Sequence, residues 1–450
     1  MNIILVLVDS LNRHVLEPYA TGQDGRRADT PNLARFAERA WRFDNHFVGS
    51  LPCMPARREL TAGFSEFMWR PWGPLEPFDL RLPKLLERAG YSTGLITDHY
   101  HYWEEAGNGY LQGFASTELI RGHEGDNWHL ATPPDAAVPE WVSSIEKWRP
   151  GGGPRQYHAN VAGFKSEEDF FAPKVMRAGA DWLRTNADRA PFFAQIESFD
   201  VHEPFHVPEP YRSLYYGGDD PEKHTLWPPY QDPRREAAFV DQASEADRAF
   251  VRDQYRGKVT MLDTWFGELL DTFDEQDLWD DSVIIVTTDH GHDLCERGSF
   301  GKQYPHYDTH ANIPLLVWDP RHPGGGRGIA DLTTTVDLFA TILDVAGVPV
   351  PPGTHGVSLL PLLAGDRSRA RRGVLYGTFG QGVCCTDGEW TVFKSPEADG
   401  PLYYYSAAIF RSLHVDGRVS PSDTGCFIPG VELPQWKVPV SIEPRCSSNF

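Results

Sequence analysis

Apolar residues gather in short runs along this chain, and several runs stop abruptly at an acid. Residues 3–8, Ile-Ile-Leu-Val-Leu-Val, end at Asp9; 93–97 end at Asp98; 283–288 end at Asp289; and 192–196 lead to Asp200 and His202. Runs without polar alternation predict strands buried on both faces, as in a largely parallel sheet. Between them lie amphipathic segments. Residues 32–40 are opened by Thr30-Pro31 as N-cap and first-turn proline, and 82–89 are stopped by Gly90. Strands alternating with helices predict an α/β fold, a largely parallel central sheet sandwiched by helices, whose ligands collect at the carboxyl ends of strands. The acids fall at those ends.

Three stretches depart from this rhythm. Residues 104–175, rich in Gly, Trp, His and Pro and broken at Pro150-Gly151-Gly152-Gly153-Pro154, predict a long surface excursion over the site. A second excursion, over 207–245, precedes a helix expected from Glu245-Ala246-Asp247 towards Asp271. After Leu363 the pattern turns to short strands at 373–378 and 389–393, which predict a small C-terminal antiparallel sheet followed by an irregular tail. A chain of 450 residues exceeds one compact core. The expected division is a catalytic domain over 1–370 and a small subdomain with its tail over 371–450.

A formal net charge of −21 disfavours nucleic acid and anionic membranes as partners, because both require clustered Lys and Arg. Attraction for an anionic substrate must then be local, from a metal and a few cations in a cleft. Met1-Asn2 leads straight into an apolar run too short to span a bilayer, with no basic leader, so no secretion signal is expected. The six cysteines, at 53, 295, 384, 385, 426 and 446, show no metal-ligand spacing and fit a reducing, cytoplasmic location. Vicinal Cys384-Cys385 reads as strand packing.

Asp9 and Asp289-His290-Gly291 each follow a strand, so two carboxylates and an imidazole can converge on a divalent cation. A lone acid after a strand is ordinarily a helix cap. The pair has a third companion in Cys53-Met54-Pro55-Ala56-Arg57, continued by Arg58-Glu59-Leu60-Thr61-Ala62-Gly63. This resembles the maturation motif of type I sulfatases, the formylglycine-dependent branch of the alkaline phosphatase superfamily, near the arylsulfatases and phosphonate monoester hydrolases. Segments 30–33, 85–91, 336–343 and 356–363 are also similar to sulfatase segments.

The resemblance implies that Cys53 is converted to formylglycine, whose hydrate supplies a metal-bound hydroxyl that attacks sulfur or phosphorus and a second hydroxyl that expels the inorganic ester. It implies metal ligation by Asp9, residue 53, Asp289 and His290. Arg57, one turn after Cys53, would hold the hydrate and neutralise charge, and Lys302 would contact a sulfate oxygen. His202, in Asp200-Val201-His202-Glu203-Pro204-Phe205, would donate a proton to the leaving group. Thr97-Asp98-His99-Tyr100-His101 falls where the family carries Gly-Lys-Trp-His. His101 then matches the family histidine and His99 replaces its lysine, and Asp98 and His99 are expected at the substrate. Each of these residues also has an ordinary structural reading, as surface cation or satisfied core histidine.

Val8-Asp9-Ser10-Leu11 puts a hydroxyl where most sulfatases carry a second acid. This makes the site less calcium-like and turns expectation towards manganese. The resulting reading is a formylglycine- and metal-dependent sulfate ester hydrolase. A phosphonate monoester or phosphodiester hydrolase, a two-metal phosphatase using Ser50, and an inactive binding protein are its rivals. Expected partners are a small-molecule ester, the maturation system that makes formylglycine and, as an option, a second copy of the chain.

Overall fold

The structure, a computed structural model, describes residues 1–19, 27–229, 233–368, 371–396, 401–407 and 423–440. Eight strands form the central sheet: β1 (Asn2–Val8), β2 (Trp41–Phe47), β3 (Ser92–Thr97), β4 (Ser116–Leu119), β5 (Phe192–Ser198), β6 (Ser282–Thr288), β7 (Leu315–Trp318) and β8 (Gly328–Thr334). Their spatial order is β8-β2-β7-β6-β1-β5-β3-β4. Only β7 runs against its neighbours. The four apolar runs of the sequence are β1, β3, β5 and β6, the centre of the sheet.

Successive side chains of a strand point to opposite faces, so β1 feeds two cores. Ile4, Val6 and Val8 pack against the helices Phe171–Asn186 and Glu245–Glu275, through Val175, Met176, Val259 and Leu262. Ile3, Leu5 and Leu7 pack on the opposite side with Leu338, Phe339 and Ile342 of the Val336–Val345 helix. These six apolar β1 side chains are all buried, at roughly 1.5–3 kcal/mol each. A strand held so firmly makes a rigid base for the acid at its end. In register, Val8 lies opposite Ser198 of β5 and Thr288 of β6. Asp9, Phe199 and Asp289 therefore leave the sheet side by side.

The 104–175 stretch has more structure than a surface excursion. It contributes β4, an edge strand beside β3, and two helices, Glu140–Trp148 and Gly153–Val161, whose Ile145, Tyr157 and Val161 pack in a separate core with Phe171, Trp227 and Phe250. Polar residues mask this in the sequence, because β4 (Ser-Thr-Glu-Leu) is an exposed edge with no apolar run. The expected helix from Glu245 runs to Glu275, opened by a capping box between Ser244 and Asp247.

The C-terminal antiparallel sheet forms from Val374–Thr378, Gly382–Thr386 and Thr391–Lys394, and its inner strand pairs in parallel with Ser50–Leu51. That short strand sits just before Cys53. The tail expected to be irregular contains a second antiparallel sheet of Leu402–Ser406, Gln435–Val440 and Asp423–Gly425. Residues 408–422 and 441–450 of the expected tail, with Cys446, lie outside the described residues. Cys384 is buried and Cys385 exposed on one strand, both free thiols, in keeping with strand packing. No helix among the described residues is long and apolar enough to cross a membrane.

Candidate active site

Cys53 opens the Cys53–Ala62 helix, which ends at Gly63 in the left-handed region. Nine of the ten helical residues are buried, so this helix is driven into the molecule with its amino end at the sheet's carboxyl edge. Its sulfur is the focus of the site. Sγ lies 3.3 Å from His290 Nε2, 3.6 Å from Lys302 Nζ and 3.9 Å from Asp9 Oδ1. Asp9, Cys53, Asp289 and His290 each offer one donor atom, all within 4.8 Å of one another.

These four suit a divalent cation. His290 Nδ1 donates to the Gly291 carbonyl at 2.9 Å, which leaves the Nε2 lone pair facing the cluster. Gly291 lets the chain make that turn, because a Cβ there would lie 2.3 Å from the Thr309 carbonyl oxygen. Burial, then repulsion from Asp289, pushes Asp9 well above the usual carboxylate range. Burial also acts to raise Asp289, but His290 and Arg57 outweigh it and hold that carboxyl low. Two buried acids that resist sharing full charge are a natural cation site. The thiol of Cys53 is itself pushed well up by burial and then by Asp9, so the unmodified side chain is a neutral thiol.

Arg57 lies one helical turn on. It donates to Asp9 Oδ2 at 2.9 Å, Asp289 Oδ2 at 2.5 Å, Glu197 Oε1 at 2.6 Å and the Cys53 carbonyl at 3.1 Å. The fork thus orients the carboxylates of the cluster. Ser10, at φ 62, donates its backbone N–H to Asp289 Oδ1 and its hydroxyl to Asp9 Oδ1. Left-handed backbone costs a non-glycine residue roughly 1–2 kcal/mol, offset here by two buried hydrogen bonds. Ser50 faces elsewhere: its hydroxyl accepts the Glu66 and Phe67 N–H groups.

The histidines ring the site around Phe199. Its ring centroid lies 4.3 Å from His202 in a stacked pair, 4.5 Å from His99, 4.8 Å from His123 and 5.7 Å from His101. His99 is fully buried, 3.8 Å from Asp9 Oδ2, with neither ring nitrogen hydrogen-bonded. Burial, then Arg57, holds it neutral. His202 Nδ1 donates to the Glu203 carbonyl at 2.9 Å; burial, then Lys302, keeps it well below the ordinary range. His101 pairs with Glu104 at 2.8 Å. Asp98 accepts the Phe199 N–H at 2.5 Å and lies beside Asp200, so it anchors the exits of β3 and β5.

Several participants lie outside every motif of the sequence. Glu197 braces Arg57 and accepts from Tyr102, and as an acid inside the apolar run of β5 it was open to notice. Lys258 is buried among Tyr255, Val259 and Leu262 at helical spacing, a cation in an apolar stripe. Glu124 left no signal; its Oε2 accepts from Tyr100, close enough to Lys302 to feel its charge. A half-open cavity of about 660 Å³ lies apart from Cys53, lined by His14, Arg252, Arg256 and Arg297 among others.

A family model described as Sulfatase matches residues 1–348. A multifunctional alkaline phosphatase superfamily protein, PehA, of Trinickia caryophylli is 27% identical over 406 residues, covering 81% of this chain and 77% of its own length. A choline-sulfatase of Rhizobium meliloti is 28% identical over 395 residues, covering 81% of this chain and 72% of its own. Among solved structures, a phosphonate monoester hydrolase of Agrobacterium radiobacter superposes with a TM-score of 0.65 at 20% identity, over 88% of this chain and 89% of that one. Another, from Silicibacter pomeroyi, gives 0.67 at 22% identity, over 88% and 87%. These likenesses establish an alkaline phosphatase-like fold.

Proposed function

The chain belongs to the sulfatase family, and from that premise we propose that it hydrolyses sulfate monoesters with a formylglycine made from Cys53 and one divalent cation. The observation that carries this reading is the convergence of Asp9, His290 and Lys302 on one sulfur at the head of a buried helix. When matured and loaded, residue 53 supplies the nucleophilic oxygen and the cation its Lewis acidity. Asp9, Asp289, His290 and residue 53 would hold that cation. Ser10 in place of an acid and an imidazole among the ligands favour manganese over calcium.

The chain's other side chains have distinct tasks. Arg57 and Glu197 keep the two acids aligned. Lys302 meets the oxyanion as charge builds on it. Burial and then Lys302 keep His202 neutral before substrate arrives; its Nε2 would take a proton from solvent as the ester anion enters and partly offsets Lys302, and hand that proton to the departing oxygen. His99, a neutral ring where the family has a lysine, leaves the pocket with less fixed positive charge. This favours esters of one negative charge over phosphate monoesters, which carry nearly two.

The same charge argument supports a second reading, hydrolysis of phosphonate monoesters or phosphodiesters by the same residues. Kinetics on matured protein would separate them, using a sulfate, a phosphonate monoester, a phosphodiester and a phosphate monoester of one common aryl alcohol. Peptide mass spectrometry would report the state of residue 53. The sulfate should have the highest kcat/KM and the phosphate monoester the lowest; a phosphate monoester in first place would refute the charge argument.

A further inference from the structure

Lys258 is the one described lysine of the Glu245–Glu275 helix, and it is almost wholly buried. Its ammonium lies 2.6 Å from Asp200 Oδ1 and donates to the carbonyls of His202 at 2.7 Å and Pro204 at 2.8 Å. Three protons therefore meet three acceptors within the single loop 200–204. Asp200 in turn accepts from His123 Nε2 at 2.7 Å and from the Ala172 N–H at 3.1 Å, which fastens the loop to the start of the Phe171–Asn186 helix. Burial works to raise the Asp200 carboxyl, but Lys258 and His123 overcome it and hold it at about 2, so the pair stays charged.

Stability alone does not account for this arrangement. Desolvating two charges costs about as much as their attraction returns, and an apolar pair of similar volume commonly serves a core as well or better. What an ammonium adds is geometry, because three tetrahedral donors on one nitrogen can pin three oxygens that do not share a plane, whereas the donors of a guanidinium are coplanar. The carbonyl it pins belongs to His202 itself, so the backbone that aims the ring is fixed from behind. The ring's remaining freedom is removed by its Nδ1 bond to the Glu203 carbonyl and by its stack on Phe199, 18° from parallel.

We propose that Lys258 is a positioning residue: through the carbonyls of His202 and Pro204 it holds the imidazole Nε2 of His202 where the leaving-group oxygen departs. This rests on the proton-transfer role proposed for His202. The two ideas are separable by experiment. Lys258→Met, His202→Gln and the double variant would be compared on sulfate esters whose leaving alcohols range from activated nitrophenols to simple alkyl alcohols, with a crystal structure of Lys258→Met. Asp200→Asn/Lys258→Met, which leaves no unpaired charge, serves if the single variant does not fold.

Loss of an aligned proton donor is worth roughly 10²–10⁴-fold where the leaving group is poor and little where it is good. Lys258→Met should therefore lower kcat at least about tenfold more for alkyl than for nitrophenyl esters with KM little changed, and should add nothing in the His202→Gln background. The loop should be displaced, with the His202 ring off Phe199. Losses equal for all leaving groups, losses that multiply in full with those of His202→Gln, or an unmoved loop would each overturn the proposal. If His202→Gln itself shows no dependence on the leaving group, the proton-transfer reading fails. The crystal structure then decides alone: a displaced His202 supports positioning by Lys258 and an undisturbed one refutes it.

Discussion

Arg57 bonds three carboxylates, and that count explains why no other side chain would serve there. A lysine keeps the charge but carries three donors on one nitrogen, too few and too close together to meet Asp9, Asp289, Glu197 and the Cys53 carbonyl at once. Arg57→Lys should leave Glu197 buried without a matched partner, at a cost of about 3–5 kcal/mol in stability, and should lower kcat by roughly 10²-fold or more. Chemical denaturation and steady-state kinetics would check both. Cys53→Ala should abolish turnover while unfolding at nearly the wild-type midpoint, because the side chain lost is small and no hydrogen bond of the sheet depends on it. Asp289→Asn removes a charge from the cation cluster; metal content by elemental analysis should fall to background, and activity with it, restored in neither case by added manganese. At this scale the sequence was legible where a motif marked the residue, as with Cys53 and His290. Glu124 and the second bond of Ser10 were not, because their roles depend on which distant side chain lies opposite.

The Cys53–Ala62 helix carries its own pH dependence. Burial raises Glu59 from the ordinary 4.5 to about 7, against the bonds it accepts from the Ser50 N–H and the Ser65 hydroxyl. A raised folded-state pKa means that the folded protein binds more protons than the unfolded chain between the two values. The contribution of Glu59 is therefore full below about 4.5 and is lost as pH rises through about 7. The loss amounts to about 3 kcal/mol. Relative to Glu59→Gln, the wild type should lose about that much stability between pH 4.5 and pH 8, read from denaturation midpoints of both proteins across the range. A constant difference would show that Glu59 is not held this way. The helices opened by Pro31 and by Ser244 were readable as elements because local signals begin them, although the Thr30 hydroxyl accepts the Glu17 N–H and makes no capping bond. β4 was not, since an edge strand with three exposed polar residues is shaped by the strand beside it.

For the molecule as a whole, the small C-terminal sheet is tied to the chemistry. Val374–Thr378 pairs with Ser50–Leu51, two residues before Cys53, and the Gly377 N–H bonds the Gly49 carbonyl at 3.0 Å. A chain ending at residue 370 should keep the central sheet yet lose activity by at least about tenfold, since an unpaired edge lets the segment before the nucleophile move. Circular dichroism with kinetics on the truncated protein would test this; full activity would separate the two parts functionally. The sequence by itself determined the central strands, the long helix and the set of residues able to hold a cation, because unbroken apolar runs and a compact motif are local properties. Only the tertiary structure decided that β1 lies between β5 and β6, so that Asp9 and Asp289 meet in one cluster able to hold a cation, that Arg57 is spent on three carboxylates, and that Lys258 holds the His202 loop. Those facts join residues 48 to 280 positions apart, and the physical reason is that buried charges must find partners wherever the packed chain happens to bring them.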